Sequence, residues 1–467
     1  MKSRTHAIVG AALMASVPIT ASWADTALPD PWSDDPRDYR RGAQAPEFDV
    51  DPFWPKPLPN QWQIGQVGGI AVDRHDNIWI IQRARTLTND EAGATDAYVD
   101  PETGETATND DGVPINALGH PRPFGPVSEC CNPAPAVMQF DPEGNLLQAW
   151  GGPADPGFIG GKCREEDGCV WPAGEHGLYV DHNDNVYVAG NGNGNGGFPW
   201  AGTHGADSQV LKFSADGTFL LIVGLPGNDE ASSNDTDGGL NGTPRLWNPA
   251  DMEVDPKTNE LYIADGYGNR RVVVVDAETG LYLRHWGAYG QNPVDDTPTG
   301  PYAVDRDAGV RPAQFRNPVH CVRITDDGLV YVCDRVNDRL QVFNKNQVGE
   351  ECVNRFREEG VCGFVDERFI RPATLGAGSV WDLDTSPDRR QSCLHNADGT
   401  NQHVDTIDRR TLALLDTFGR NGRMAGNFHW VHNLATDSEG NIYTAEVDTG
   451  KRAQKFDRVS DRMGCRS

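Results

Sequence analysis

The sequence predicts an all-β protein, a six-bladed β-propeller of four-stranded antiparallel blades. Three observations carry that prediction. One hairpin pattern recurs six times: a short apolar strand, an Asp, a polar turn with Asn or Gly, then a second strand with Tyr or Trp. Each copy is followed by a third and often a fourth alternating strand, with turn signals spaced roughly 8–12 residues apart. The chain of 467 residues holds 52 glycines and 32 prolines, many for a helical protein and few for a low-complexity one. Repeats of this length that cannot bury their own apolar faces close into a ring. Almost the whole length is thereby assigned to one domain, although ~150 residues per domain is the usual prior.

The elements follow in order. Residues 1–24 read as a secretory signal, with Lys2 and Arg4 ahead of an apolar stretch at 7–20 and small residues Ser22 and Ala24 before the cut. About 14 apolar residues are too few to span a bilayer. The mature protein is therefore expected to be secreted or periplasmic, soluble and without a membrane span. Residues 25–64 form a Pro/Asp-rich arm, and its end at 60–65 is expected to pair with the last blade and close the ring. Residues 65–467 form the propeller. Its hairpins lie at 69–81, 177–189, 251–264, 321–333, a degenerate copy from Val380 that rejoins near Cys393, and 433–445. A long insert rich in Asp, Gly, Pro and Thr occupies about 86–135, and a Gly/Asn-rich loop occupies 190–205.

Charge and cysteine content narrow the function. A formal net charge of −27 repels phosphate backbones and anionic lipid, so no nucleic-acid partner is expected. The oligomeric state is open. Ten cysteines without a CxxC pair suit an oxidising compartment. Spacing suggests bridges Cys163–Cys169 and Cys352–Cys362. Cys321 and Cys333 flank a hairpin turn, either as a cross-strand disulfide or as two packed thiols.

Aligning the six first strands exposes the chemistry. The residues just ahead of each strand are Gly68, His176, Ala250, His320, Ser379 and His432. Histidine alternates with small residues, and alternate blades of a six-fold ring converge on its axis. Three neutral imidazoles with an open position make a catalytic-type Zn²⁺ site, and another divalent transition metal would also suit them. The ends of the second strands lie on the same face and carry Arg83, Tyr267, Arg270, Arg271 and Arg335. A tyrosine there can move a proton, and an arginine can bind a carboxylate. Arg83 and Tyr267 have no repeat counterpart, which favours function. Arg271, a substrate-binding candidate with Arg335, also reads as a structural partner of Asp265.

The core signature, clearest at 249–274 with Asp265-Gly-Tyr-Gly-Asn-Arg-Arg, resembles the NHL family of propellers over about residues 65–457. The segments Gln66-Val-Gly-Gly-Ile-Ala-Val-Asp, Glu175-His-Gly-Leu-Tyr-Val-Asp, Pro318-Val-His-Cys-Val-Arg-Ile and Val431-His-Asn-Leu-Ala-Thr-Asp are similar to one branch. That branch is the peptidyl-α-hydroxyglycine α-amidating lyase domain of peptidylglycine α-amidating enzymes. The resemblance implies zinc on His176, His320 and His432, a catalytic Tyr267 and a catalytic Arg83. It also implies a structural Ca²⁺ on the carbonyls of Ile70 and Leu178 and the side chain of residue 433, which is Asn here and Asp in the family. Trp430, at the substrate pocket, replaces the family's Met. The implied reaction cleaves a carbinolamide C–N bond of a small or peptide-like hydroxylated substrate. Nothing in the chain resembles the copper monooxygenase that makes the family's hydroxyglycine, so the natural substrate is open. A zinc hydrolase at the same triad, or a non-catalytic propeller binding protein or polysaccharide, are the alternatives.

Overall fold

A computed structural model describes residues 45–100, 103–152, 162–192, 205–295, 312–348, 351–353, 359–361, 363–370 and 377–465. The predicted signal at 1–24, the first part of the arm and most of the 190–205 loop lie outside the described residues, as does the expected Cys352–Cys362 bridge. The structure is all-β, with six sheets of four antiparallel strands. From the channel outward, blade one is Gln66–Val72, Ile78–Arg83, Val137–Phe140 and Leu146–Trp150. Blades two to five follow the same order, beginning with Glu175–Val180, Asp251–Asp255, Val319–Ile324 and Asp382–Thr385. Blade six runs Val431–Thr436, Ile442–Glu446 and Arg452–Arg458, and its fourth strand is Phe48–Asp51. Among the described residues no helix is long and apolar enough to cross a membrane.

The recurring Asp has a physical reason. Asp181 Oδ1 accepts from the N–H groups of Asn183 and Asn185, both at 2.8 Å, and so closes the turn between the first two strands. The aromatic residue on the second strand then donates to the other oxygen, as Tyr187 does to Asp181 and Tyr443 to Asp437. In blade one Trp79 Nε1 donates to Asp73 at 2.9 Å. An Asx turn plus a buried donor fixes the hairpin register without help from the rest of the blade.

Apolar residues cluster between neighbouring blades, with one cluster at each of the six blade-to-blade contacts. Both faces of every sheet are therefore covered, and the ring is held by six sandwiches rather than one central core.

The arm closes the ring, but not where the sequence suggested. Phe48–Asp51 pairs with Arg452–Arg458, matching Phe48 to Arg458 and Val50 to Phe456. Within 60–65, Trp62–Gln63 instead pairs in parallel with Asn132–Pro133 of the insert. The reason is distance. Residue 66 starts a channel-lining strand, whereas the open edge of blade six lies three strand spacings away, ~14 Å. At ~3.3 Å per residue, about four residues directly before 66 are used up in crossing that gap, so a strand pairing there comes from further upstream.

Cys163–Cys169 forms as expected, and Cys321–Cys333 resolves as a disulfide rather than packed thiols. Two further bridges appear, Cys130–Cys131 in the insert and Cys393–Cys465, which ties the chain end to blade five.

Candidate metal centre

His176, His320 and His432 are each the second residue of an inner strand, in blades two, four and six. At each of them the pairing with the second strand slips: between Glu175 and Leu178, Val319 and Val322, and Val431 and Asn433. Such bulges re-aim a side chain, and here they bring the three rings together. Ring centres lie 5.0, 4.6 and 4.9 Å apart, and all three side chains are buried.

The hydrogen bonds fix the tautomers. His176 Nδ1 is 2.7 Å from Ala250 O, and His320 Nδ1 is 2.5 Å from Trp381 O. His432 Nδ1 contacts Asn433 Oδ1, and the ring is also hydrogen-bonded to the Gly68 backbone. Carbonyl oxygens only accept, so each Nδ1 carries the proton and each Nε2 turns a lone pair inward. Burial is the main reason the rings stay neutral. It holds His176 and His320 well below the usual histidine range and His432 at about 3, with neighbouring imidazoles and the Arg83 and Arg335 cations adding to the effect. Three neutral, inward-facing Nε2 atoms are the donor set that a transition metal takes.

The Nδ1 atoms of His176 and His320 point to the next blade, which corrects the predicted register. Asp251 lies opposite Ala264, and Asp382 lies opposite Ala397. The blade-five counterpart of Ala250 is therefore Trp381, not Ser379. Its indole packs 5.7 Å from His320, 5.5 Å from His432 and 5.2 Å from Trp430, so this side of the centre is an aromatic wall. Trp430 sits at φ 56°, a left-handed backbone that a bulky residue rarely adopts. The Gln402 side chain holds it there by accepting its N–H at 2.9 Å.

Tyr267 reaches the centre from the loop after blade three's second strand. Asn317 Nδ2 braces that loop, donating to carbonyls including those of Gly266 and Tyr267. The Tyr267 hydroxyl lies 2.9 Å from His176 Nε2, 3.1 Å from His320 Nε2 and 3.1 Å from Arg335 Nη1. Arg335 in turn stacks 4.4 Å over the Trp381 ring. Arg83 donates to Glu175 O at 2.5 Å and to Gln66 Oε1 at 3.0 Å. Burial and the neighbouring Arg85 pull its pKa down to about 10, so it remains a cation at neutral pH and acts on Tyr267 and the triad.

One expected residue takes another role. Arg271 is fully buried, donates to Asp265 at 2.9 Å and binds the carbonyls of Ser233, Asp235 and Arg245. Four hydrogen bonds hold this guanidinium to Asp265 and to loop carbonyls, away from the three histidines. His429 bonds Asp448 and stays outside the triad.

The implied calcium site does not fit its donors. Ile70, Leu178 and Asn433 are buried, but Asn433 turns its oxygen to His432 and donates its amide to Asp382 Oδ2 at 3.2 Å. The positive charge in this stretch of the channel is a guanidinium. Arg323 bonds Asp251 and Asp382 and lies within the field of Glu253 and Asp384.

No protein-family profile matches the chain. It is 23% identical over 389 residues to peptidyl-glycine alpha-amidating monooxygenase B of Xenopus laevis, a match covering 82% of this chain and 33% of that protein. It is 28% identical over 303 residues to NHL repeat-containing protein 3 of Mus musculus, covering 60% of this chain and 69% of that one. It is 26% identical over 174 residues to a probable peptidyl-alpha-hydroxyglycine alpha-amidating lyase of Caenorhabditis elegans, covering 36% of each. The chain spans about a third or less of the length of the two Xenopus monooxygenases it matches.

Proposed function

We propose that this chain, an NHL-repeat propeller resembling the lyase domain of peptidylglycine α-amidating enzymes, is a metal-dependent lyase that cleaves a carbinolamide C–N bond. The observation that carries the reading is the Tyr267 hydroxyl, 2.9 and 3.1 Å from the inward nitrogens of His176 and His320. A divalent transition ion such as Zn²⁺ on the three histidines would supply Lewis-acid polarisation of a substrate oxygen.

The chain's own residues account for the rest. Tyr267 takes the proton of the substrate hydroxyl. The O–H electron pair becomes the second bond of a carbonyl, the C–N bond breaks, and the proton passes to the departing amide nitrogen. One carbinolamide gives one amide and one aldehyde, with no other reactant. Arg335 donates to the phenol oxygen and stabilises negative charge on it. Arg83 and Arg335 suit a substrate carboxylate, and Trp381 with Trp430 keeps water from one side. The substrate class is a small or peptide-like α-hydroxy amide, such as an N-acyl-α-hydroxyglycine, which would release glyoxylate. Four disulfides among the described residues support action in an oxidising compartment, secreted or periplasmic. A hydrolase at the same triad gives Tyr267 no task, and a binding propeller gives none to the buried imidazoles.

Zinc-loaded wild type and His320→Ala are incubated with an N-acyl-α-hydroxyglycine while glyoxylate is followed. Wild type is expected to release it and the variant is not. No release above background by wild type overturns the reading.

A further inference from the structure

Blade five departs from blades three, four and six at one buried position. In those blades the acid ending the second strand is held by the Nε of an arginine that begins the third. The pairs are Asp265–Arg271 at 2.9 Å, Asp334–Arg339 at 2.6 Å and Glu446–Arg452 at 2.7 Å. Blade five keeps the acid, Asp398, but the residue opposite it is His403. Two residues on, and on the same face of the strand, stands a second carboxylate, Asp405.

The three side chains meet. His403 Nε2 lies 3.5 Å from Asp398 Oδ2 and 3.3 Å from Asp405 Oδ1. Side-chain exposure is 0% for Asp398, 5% for Asp405 and 22% for His403, so the group has one edge towards solvent. Tetrahedral ligands ~2.0–2.2 Å from a zinc ion lie ~3.3–3.6 Å from one another; the two separations from His403 Nε2 fall in that range, and all three ligand atoms lie within 4.8 Å of one another. The ligand atoms are also braced from behind. Asn401 donates its backbone N–H to Asp398 Oδ1 at 2.9 Å, and Asn396 Nδ2 donates to Asp405 Oδ2 at 3.2 Å. Such outer contacts orient metal ligands. Asn396 is fully buried, and its Nδ2 is shared between Asp405 Oδ2 and the Ser379 carbonyl at 3.1 Å.

We propose that Asp398, His403 and Asp405 form a second metal site, taking one divalent cation of the zinc class through His403 Nε2 and one oxygen of each carboxylate. An arginine in the sister blades brings a fixed positive charge to the buried acid. Here the cation does so, and it serves two carboxylates at once. The site is separate from the three-histidine centre, on the second and third strands of blade five rather than the inner strands of blades two, four and six. It touches that centre through one turn, because Gln402, between Asp398 and His403, holds the Trp430 N–H. The proposal does not rest on lyase activity.

The test is zinc stoichiometry. Full-length protein is stripped with chelator, titrated with Zn²⁺, desalted and analysed for metal. Wild type is expected to hold two equivalents and His403→Arg one. The latter reproduces the pair of blades three, four and six, so it should fold and melt like wild type. Asp405→Asn, nearly isosteric, should also hold one. His320→Ala should lose the central equivalent and keep the blade-five one, which separates failure at either site. If His403→Arg and Asp405→Asn hold as much zinc as wild type, the proposal is overturned.

Discussion

The hydroxyl of Tyr267 lies 3.1 Å from Nη1 of Arg335, and the same guanidinium stacks 4.4 Å over Trp381. The arginine is thereby clamped between a phenol and an indole, with its charge fixed beside the one hydroxyl that also reaches two of the histidines. Tyr267→Phe removes that oxygen and leaves the ring packing. It should lower kcat by ~10²–10⁴, the usual contribution of a positioned acid–base group. Metal content of the variant should match wild type, because the three histidines are untouched. Single-turnover glyoxylate release measured beside metal analysis checks both halves.

A second expectation concerns the channel's internal cation. Arg323 is the cation between Asp251 and Asp382. Removing one partner of a buried charge group strands the others, at a cost of ~3–5 kcal/mol. Arg323→Met should lose about that much in a denaturant melt. Wild type should melt at the same temperature with or without added calcium, because Arg323 already supplies positive charge to these acids. A large stabilisation of wild type by added calcium would show that the calcium site is present after all.

The acids around Arg323 outnumber it, which sets a pH dependence. Burial pushes Glu253 up to about 8, against an ordinary value of 4.5. A carboxyl raised on folding stabilises the protonated folded state. That contribution is complete below about pH 4.5 and is lost as pH climbs through 8. Glu253→Gln cannot ionise, so its stability should fall less than that of wild type across this window, by roughly 1–3 kcal/mol. Melting both proteins at pH 5 and pH 8.5 tests the sign; equal losses would refute it.

What the sequence disclosed follows from how local each determinant is. The hairpins are legible because Asp181 and its kin bind their own turn and their own second-strand aromatic, all within a few residues. The triad is legible because His176, His320 and His432 hold one register in that repeat. Blade five is the exception, because its degenerate first strand puts Ser379 at the histidine register. Aligned instead on the second-strand pair Ala397-Asp398 against Ala264-Asp265, it places Trp381 in the wall. Cys393–Cys465 spans 72 residues, and no local pattern specifies such a pair. The misfit of the implied calcium donors shows only when Arg323, two blades from Asn433, is seen to share Asp382 with it.

The closing strand gives the last expectation. Phe48 packs 5.0 Å from Phe418 and 5.7 Å from His395, so it anchors the fourth strand of blade six against blade five. Phe48→Ala should cost ~1–3 kcal/mol, below the ~3–5 of a fully buried phenylalanine because the ring is half-buried. More tellingly, it should speed amide exchange along Arg452–Arg458, the partner strand that then becomes a sheet edge. Trp62→Ala, in the segment paired with the insert, should leave exchange on that strand unchanged. Faster exchange at 452–458 in Trp62→Ala but not in Phe48→Ala would return ring closure to residues 60–65.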